Sequence, residues 1–551
     1  MRPRVPPDPS PPSTTPVTTA SAPERTTTRR AERTGGFAVL VATGILLSRI
    51  AGLVRQRFLG HFLGLGDAAD AFNAAFRIPN VLQNLFGEGV LSASFIPVYA
   101  RLLAEGDEKE ATHVAGAVAA LLGAITAVLV LVGVLVTPWL IDLIAPGFHG
   151  AKRELTIQLV RIFFPGAGLL VMSAWCLGVL NSHRRFFLSY AAPIMWNAAI
   201  IAALVAFGGR VGPFPLAVAV AWGAVAGSAL QLLVQLPTVL RVLPHFRPVL
   251  DATSRNVRTV IRNFGPVFVG RGVVQISGYV DVLLATLLPA GATAGLMTAQ
   301  TLYMLPVSLF GMSVSAAELP TMSSAVGDAT EVASYLRLRL DAGLRRIAFL
   351  VVPSAVAFLA LGDVLVGALY QTGRFTRADS VYVWGILGGA GVGLLASTMG
   401  RLYSSAYYAL HDTRTPLRFA VVRVVLTTGL GYLFAIPLPP LLGLDPRWGA
   451  AGLTASAGVA AWVEFTLLRL TLNRRIGRTG VPGTFVATLW FAAALGAAAA
   501  WGVKLALGVA HPIGLAVAAL APFGLVYFGV TSAFGIAEAR TIVRAVLRAR
   551  R

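Results

Sequence analysis

Apolar residues fall along this chain in runs of about 20, the helix length needed to cross roughly 30 Å of hydrocarbon. Fourteen runs are predicted, at 37–58, 70–100, 113–141, 154–181, 186–208, 213–240, 260–288, 292–325, 345–370, 380–408, 417–437, 448–473, 484–508 and 513–534. Short polar connections separate them, so the expected fold is all-α and integral to a membrane, with no room for a soluble catalytic domain. The count can be tested, because Lys and Arg in short loops collect on the cytoplasmic side. The N-terminal tail and every second connection after it hold 29 basic residues, and the intervening connections hold 6. One helix more or fewer would scramble that alternation. The sequence therefore predicts 14 spans in the cytoplasmic membrane with both termini cytoplasmic.

Composition agrees: 56% of the 551 residues are hydrophobic and 13% charged, where soluble domains run about 25% charged. The net charge of +21 could suggest nucleic acid, but the cations are spread over loops rather than gathered in a patch. No nucleic-acid partner is expected. Residues 1–35 are rich in Pro, Ser, Thr and Arg without an apolar stretch, which predicts a disordered tail and no cleaved signal. At the other end Arg540, Arg544, Arg548 and Arg551 share a helix face, so 536–551 is expected to lie on the anionic inner leaflet. Cys176 stands alone in an apolar run, which excludes an internal disulfide and a cysteine-based metal site. No HExxH, P-loop or nucleophile elbow is present, so no enzyme, cofactor or metal is expected. Transport would then be driven by gradients, membrane potential or downstream consumption.

The chain also repeats itself. Span two carries Pro79, then Leu85-Phe86-Gly87, then Pro97, and span eight carries Pro306, then Leu309-Phe310-Gly311, then Pro320. Six helices separate the two, an even number, so two halves of like orientation are expected, related by an axis along the membrane normal. Paired, interrupted helices in the two halves of a transporter point to its substrate site.

Most basic residues inside the spans lie near helix ends and are expected to snorkel to headgroups: Arg401, Arg423 and Arg469 at one side, Arg57, Arg77, Arg161 and Lys504 at the other. Arg49, Arg55 and Arg271 lie deepest, where an arginine costs about 2.5–3.5 kcal/mol even on lenient scales, so a role in a wet cavity is expected. Ser48, Gly52 and Arg55 share one face of span one, with Arg49 about 100° away. In span two Asn73, Asn80, Asn84 and Glu88 trace a polar stripe, which cannot face lipid, and Gln83 is a further polar residue of the same span. Span seven adds Arg271, Gln275 and Ser277. Arginine forks hold phosphate oxygens in pairs, while Asn, Gln and Ser suit sugars and peptides. The candidate substrate-binding set is Ser48, Arg49, Arg55, Asn80, Gln83, Glu88, Arg271 and Gln275. Asp70, Arg77 and Asp281 are candidates for gating or charge pairing, and Glu318, Asp363 and Glu464 for local ion pairs.

From Gly36 onward the sequence resembles the MurJ/MviN family, the lipid II flippases within the multidrug/oligosaccharidyl-lipid/polysaccharide exporter superfamily. The resemblance rests on Ser48-Arg49-Ile50-Ala51-Gly52-Leu53-Val54-Arg55, Asp70-Ala71-Phe72, Ile78-Pro79-Asn80, Phe86-Gly87-Glu88-Gly89 and Phe95-Ile96-Pro97. Gln275-Ile276-Ser277, Leu369-Tyr370-Gln371 and Asp412-Thr413-Arg414-Thr415-Pro416 extend it. It implies two six-helix lobes, 36–243 and 244–478, around a cationic cavity, and a lipid-tail groove from the last two helices at 479–535. It also implies alternating access that carries undecaprenyl-pyrophosphate-linked disaccharide-pentapeptide from the inner to the outer leaflet, by a monomer. Membrane lipids and cell-wall synthesis proteins are the implied partners. Arg49, Arg55, Asp70 and Glu88 match functionally important family positions, and Arg77 keeps the charge of a family lysine.

Some positions depart from the family pattern. Gln56 replaces an acid, Gln83 replaces an arginine, Gln300-Thr301 replace an Asp-Arg pair, and Met304 replaces a further acid. Arg271, at a position usually uncharged, is expected to substitute in part for the missing arginines. These losses leave other readings open: a flippase for another lipid-linked glycan, a drug antiporter, a transport-inactive scaffold for cell-wall enzymes, or a membrane glycosyltransferase. A cationic cavity fits the antiporter poorly, and a scaffold need not keep costly buried arginines.

Overall fold

The computed structural model describes residues 44, 46–325, 327–508 and 511–540, apart from the side chains of Glu88 and 269–278. The 1–35 tail, most of the basic C-terminal tail and the side chains of Glu88, Arg271 and Gln275 thus lie outside the described residues. The first part runs through α1 (46–63), α2 (Asp67–Phe86), α3 (Glu88–Ser94), α4 (Ile96–Glu105), α5 (Glu108–Ile144), α6 (Gly150–Ser182), α7 (Phe186–Phe207) and α8 (Pro213–Val242). The second runs through α9 (Arg255–Thr286), α10 (Ala292–Pro306), α11 (Ser313–Ser323), α12 (Ala329–Tyr370), α13 (Arg377–Ala409), α14 (Arg414–Ala435), α15 (Leu438–Leu441), α16 (Gly449–Ile476), α17 (Gly483–Leu507) and α18 (Pro512–Ala533).

The protein is an all-α, multi-pass membrane protein: among the described residues, 11 helices are long and apolar enough to cross a membrane. The other three expected spans coincide with α1, α2–α4 and α9. These are short, broken or charged: α1 carries Arg49, Arg55 and Arg57, α2 carries Asp67, Asp70 and Arg77, and α9 carries Arg255, Arg258, Arg262 and Asp281 among its described residues. An apolar-run criterion weakens in the helices that line a polar interior.

Both interruptions read from the sequence are present. Helix α2 ends at Gly87, which has an extended conformation (φ −87°, ψ −153°), and the chain bends again at Phe95 before α4. In span eight, α10 passes through a π-helical segment, Val307–Met312, before α11. Pro and π-segments are the usual causes of such breaks.

Two hydrophobic cores organise the bundle. One draws buried residues from Leu59 to Val260 together with Ala294, the other from Leu284 to Ala539. Helix α9 places Val257 and Val260 in the first and Leu284 and Ala285 in the second, so it crosses between them. Tight crossings need small residues: a Cβ built on Gly393 of α13 would overlap the backbone of Gly458 in α16. The α17–α18 hairpin packs on α12, where Tyr527 Oη donates to the Phe349 carbonyl at 2.6 Å and Lys504 pairs with Asp363 at 2.6 Å. Glu318 and Glu464, expected in local ion pairs, meet Arg339 (2.8 Å) and Arg423 (3.1 Å), so Arg423 and Lys504, expected to snorkel, are held by acids of neighbouring helices.

Candidate functional site

A cavity of about 370 Å³ lies between the two cores, walled by α1, α2, α7 and α10. Helix α2 supplies Asn73, Arg77, Asn80 and Asn84, spaced 4, 3 and 4 so that they share one face. The stripe expected from the sequence is therefore real as far as Asn84. Glu88 stands beyond the Gly87 break, where the helical register is interrupted. Gln83 is half-buried and is not among the lining residues, and Ser48 lies half-buried in α1 away from this wall.

Arg55 enters the cavity from α1 with aromatic rings for neighbours. Its guanidinium carbon sits 5.6 Å from the Phe76 ring centre and 5.0 Å from that of Trp196. Those rings stack on each other at 5.4 Å, and Phe163 meets Phe76 edge-on at 5.4 Å. The Arg55 Nε is buried without a hydrogen-bond partner. A cation held by ring faces keeps its charge available to an anion, which a carboxylate partner would have neutralised. Arg77 faces the same space, with its Nη1 3.6 Å from Met297 Sδ and its guanidinium 5.7 Å from the Tyr279 ring. Tyr279 Oη donates to the Arg77 carbonyl at 2.8 Å, fixing α9 against α2. The lining set contains two arginines and no carboxylate among the described residues. Gln56, Gln300, Thr301 and Met304, where charge was expected, all face this cavity.

One end of the cavity is closed by contacts between the two parts of the chain. Asp70 is buried and accepts the amides of Gly291 and Ala294, each at 2.8 Å, at the start of α10, and the ammonium of Lys152 at 2.7 Å. An acid at a helix N-terminus satisfies unpaired amides and the helix dipole together. Gly291 has φ +89° and approaches Leu65 closely, which suits glycine alone. Beside this, Arg57 donates to the carbonyls of Ala368 (2.8 Å) and Leu369 (2.7 Å) at the end of α12. His61 Nδ1 meets Thr372 Oγ1 at 2.9 Å, and the Arg374 amide donates to the His61 carbonyl at 2.8 Å. Arg57 and Arg77 therefore reach inward instead of snorkelling. Deeper along α1, away from this end, Arg49 is exposed and donates to Ser308 Oγ of the π-segment at 3.4 Å. Arg49 and Arg55, expected to share one cavity, instead face different neighbours.

Asp281 lines a second space of about 150 Å³ with Arg423, Tyr303 and Gln300, and Gln300 lines both cavities. Its Oδ1 is buried without a hydrogen bond. Sequence reasoning did not single out Lys152, Trp196, Phe76 or Tyr279. Their residue types are ordinary in membrane helices, and only the folded arrangement turns them into a clamp around Arg55, Arg77 and Asp70.

A sequence profile of the family described as "Lipid II flippase MurJ" matches residues 59–517. The lipid II flippase MurJ of Burkholderia cenocepacia is 32% identical over 445 residues, covering 80% of this chain and 84% of its own. A probable lipid II flippase MurJ of Rhizobium meliloti is 31% identical over 533 residues, covering 92% and 95%. Among solved structures, a lipid II flippase MurJ in an inward closed conformation superposes with a TM-score of 0.73 at 21% identity, over 90% of this chain and 98% of that one. An inward-facing multidrug resistance MATE family transporter of the MOP superfamily gives 0.63 at 16% identity, over 79% and 98%. At these identities the structural likeness concerns the fold.

Proposed function

The chain belongs to the lipid II flippase MurJ family, whose members are transporters and not enzymes, and on that premise we propose how its interior moves lipid II across the cytoplasmic membrane. The two cores act as the two lobes of a fourteen-span bundle with both termini cytoplasmic, and α17–α18 guide the lipid tail. The end closed by Asp70, Lys152 and Arg57 is the outer gate. Substrate enters from the inner leaflet, and its pyrophosphate engages Arg55 and Arg77, with Arg271 completing the anion contact in place of family arginines that this chain lacks. Asn73, Asn80, Asn84, Gln56 and Gln300 then meet the sugar and peptide groups. Release of the Asp70 cap and the Arg57 contacts opens the outer side, and Arg49 with Ser308 closes the inner one.

The observation that carries this reading is the pair Arg55 and Arg77 lining one cavity that holds no carboxylate among the described residues. Arg55 in particular is held by rings, with its Nε unbonded and no carboxylate paired to it among the described residues, which is costly unless an anion arrives. The test is growth of cells whose own lipid II flippase is depleted. Wild-type chain should sustain growth, while Arg55→Ala at equal membrane abundance should not; growth on Arg55→Ala would refute the anion-contact role. The neutral wall of Gln300, Thr301 and Met304 also favours a second reading, another lipid-linked glycan. Failure of well-expressed wild type to support growth would move the assignment there.

A further inference from the structure

Helix α6 is buried along most of its length, and its exposed side chains form one stripe: Ala151, Glu154, Gln158, Arg161 and Pro165. From Glu154 the spacings of 4, 3 and 4 keep the last four on a single face. Beyond Pro165 the face closes, where Gly168 comes against Val130 of α5. The stripe floors a groove of about 530 Å³ whose far wall is Trp222 of α8. The flanking helices expose apolar side chains along their length: Val128, Leu131, Val132 and Leu135 on α5, Trp222 at the groove and Leu230 and Leu233 further along α8. Such surfaces suit acyl chains, yet the floor between them is polar and charged, which hydrocarbon alone does not tolerate.

The polar groups of this floor are not consumed by the protein. Arg161 gives Nε to the Val134 carbonyl at 3.4 Å, and among the described residues its two terminal nitrogens have no partner. Glu154 makes no hydrogen bond or ion pair among the described residues; the adjacent Arg153 feels its charge but gives its hydrogen bonds to both oxygens of Asp142, at 2.6 and 2.9 Å. The order of charge matters. Arg161 stands seven residues beyond Glu154, about 10 Å further along α6 from the end of the helix that meets the aqueous loop. A phospholipid with an amine headgroup carries its phosphate deeper than its ammonium, in the same order.

We propose that this groove binds a membrane aminophospholipid, its phosphate on Arg161 and Gln158, its ammonium toward Glu154 and its chains along α5 and α8. The groove is remote from the central cavity, so this lipid is a bound neighbour of the transporter and not its cargo. Arg161 supplies the paired donors that phosphate prefers. Glu154 supplies the selectivity, since an anionic headgroup without an amine meets a carboxylate there and gains nothing from it.

The test is native mass spectrometry of the full-length protein released from vesicles of equal phosphatidylethanolamine and phosphatidylglycerol. Wild type should retain phosphatidylethanolamine in preference. Arg161→Gln should lower retention of both lipids about tenfold, as expected for a lost charge-assisted contact, and Arg161→Lys should fall between. Glu154→Gln should remove the preference for the amine headgroup while leaving phosphatidylglycerol retention unchanged. Both side chains are exposed, so all three variants should match wild type in thermal unfolding. Equal lipid retention by wild type and Arg161→Gln would overturn the proposal, as would a preference for phosphatidylethanolamine that survives Glu154→Gln, or a co-purifying protein whose loss is the only effect of Arg161→Gln.

Discussion

Asp70 in α2 accepts the backbone amide of Gly291 at 2.8 Å, tying the first part of the chain to the N-terminus of α10. The same carboxylate takes the Ala294 amide and the Lys152 ammonium, so three donors from two other segments converge on one buried acid. Asp70→Ala strands all three. Breaking a buried charge pair by removing one partner costs about 3–5 kcal/mol, enough to shift a two-state gate by more than a hundredfold. Labelling of a cysteine placed at Thr372 by a membrane-impermeant thiol reagent should rise sharply in Asp70→Ala, and flipping should fall.

Arg57 fixes the same end differently, by donating to the free carbonyls of Ala368 and Leu369. Arg57→Gln should weaken closure less than Asp70→Ala, because those carbonyls at a helix end can recruit water. A bond to a charged donor is worth about 1.5–3 kcal/mol. The same cysteine-labelling assay should give an intermediate rate.

The crossing of Gly393 and Gly458 sets how closely α13 and α16 approach. Gly393→Leu should force these helices apart and lower stability by more than the 1–3 kcal/mol typical of modest overpacking. Thermal unfolding in detergent measures this, and Gly388→Ala, at a position with open space, is the control.

A pH-dependent element lies in the loop before α14. Asp412 accepts the Thr415 amide (3.0 Å) and hydroxyl (2.7 Å) and pairs with Arg475 at 2.7 Å. These contacts, the Thr415 bonds first, hold its carboxyl down to about 2. A depressed folded-state value means the contribution is complete above the ordinary carboxylate range near 4 and is lost as pH falls toward 2. The stability gap between wild type and Asp412→Asn should therefore be constant from pH 7 to 5 and shrink below pH 4. A gap that persists at pH 2 would contradict it.

Much of this was readable from the chain, and the limits have physical causes. Run length and loop charge identify membrane helices because hydrocarbon tolerates few alternatives. The Asn73–Asn84 stripe and the two interruptions follow from helix periodicity and from Pro and Gly. Periodicity tells which residues share a face but not what that face meets. So Arg57 reads as a snorkelling residue until α12 supplies carbonyls, and Arg49 and Arg55 read as neighbours until Phe76 and Trp196 separate their surroundings. Lys152, one of three charged residues in the first turns of α6, carries no signal of the Asp70 contact it makes across 82 positions.

In the proposed cycle Arg55, held between Phe76 and Trp196, receives the pyrophosphate of lipid II on its way outward. The most direct measurement is the fraction of newly made lipid II that an added, membrane-impermeant lipid II hydrolase can cleave in spheroplasts depleted of the host flippase. Wild-type chain should restore cleavage, and Arg55→Ala at equal membrane abundance should leave lipid II protected inside, with Arg55→Lys in between. Full cleavage with Arg55→Ala would rule out Arg55 as the pyrophosphate contact.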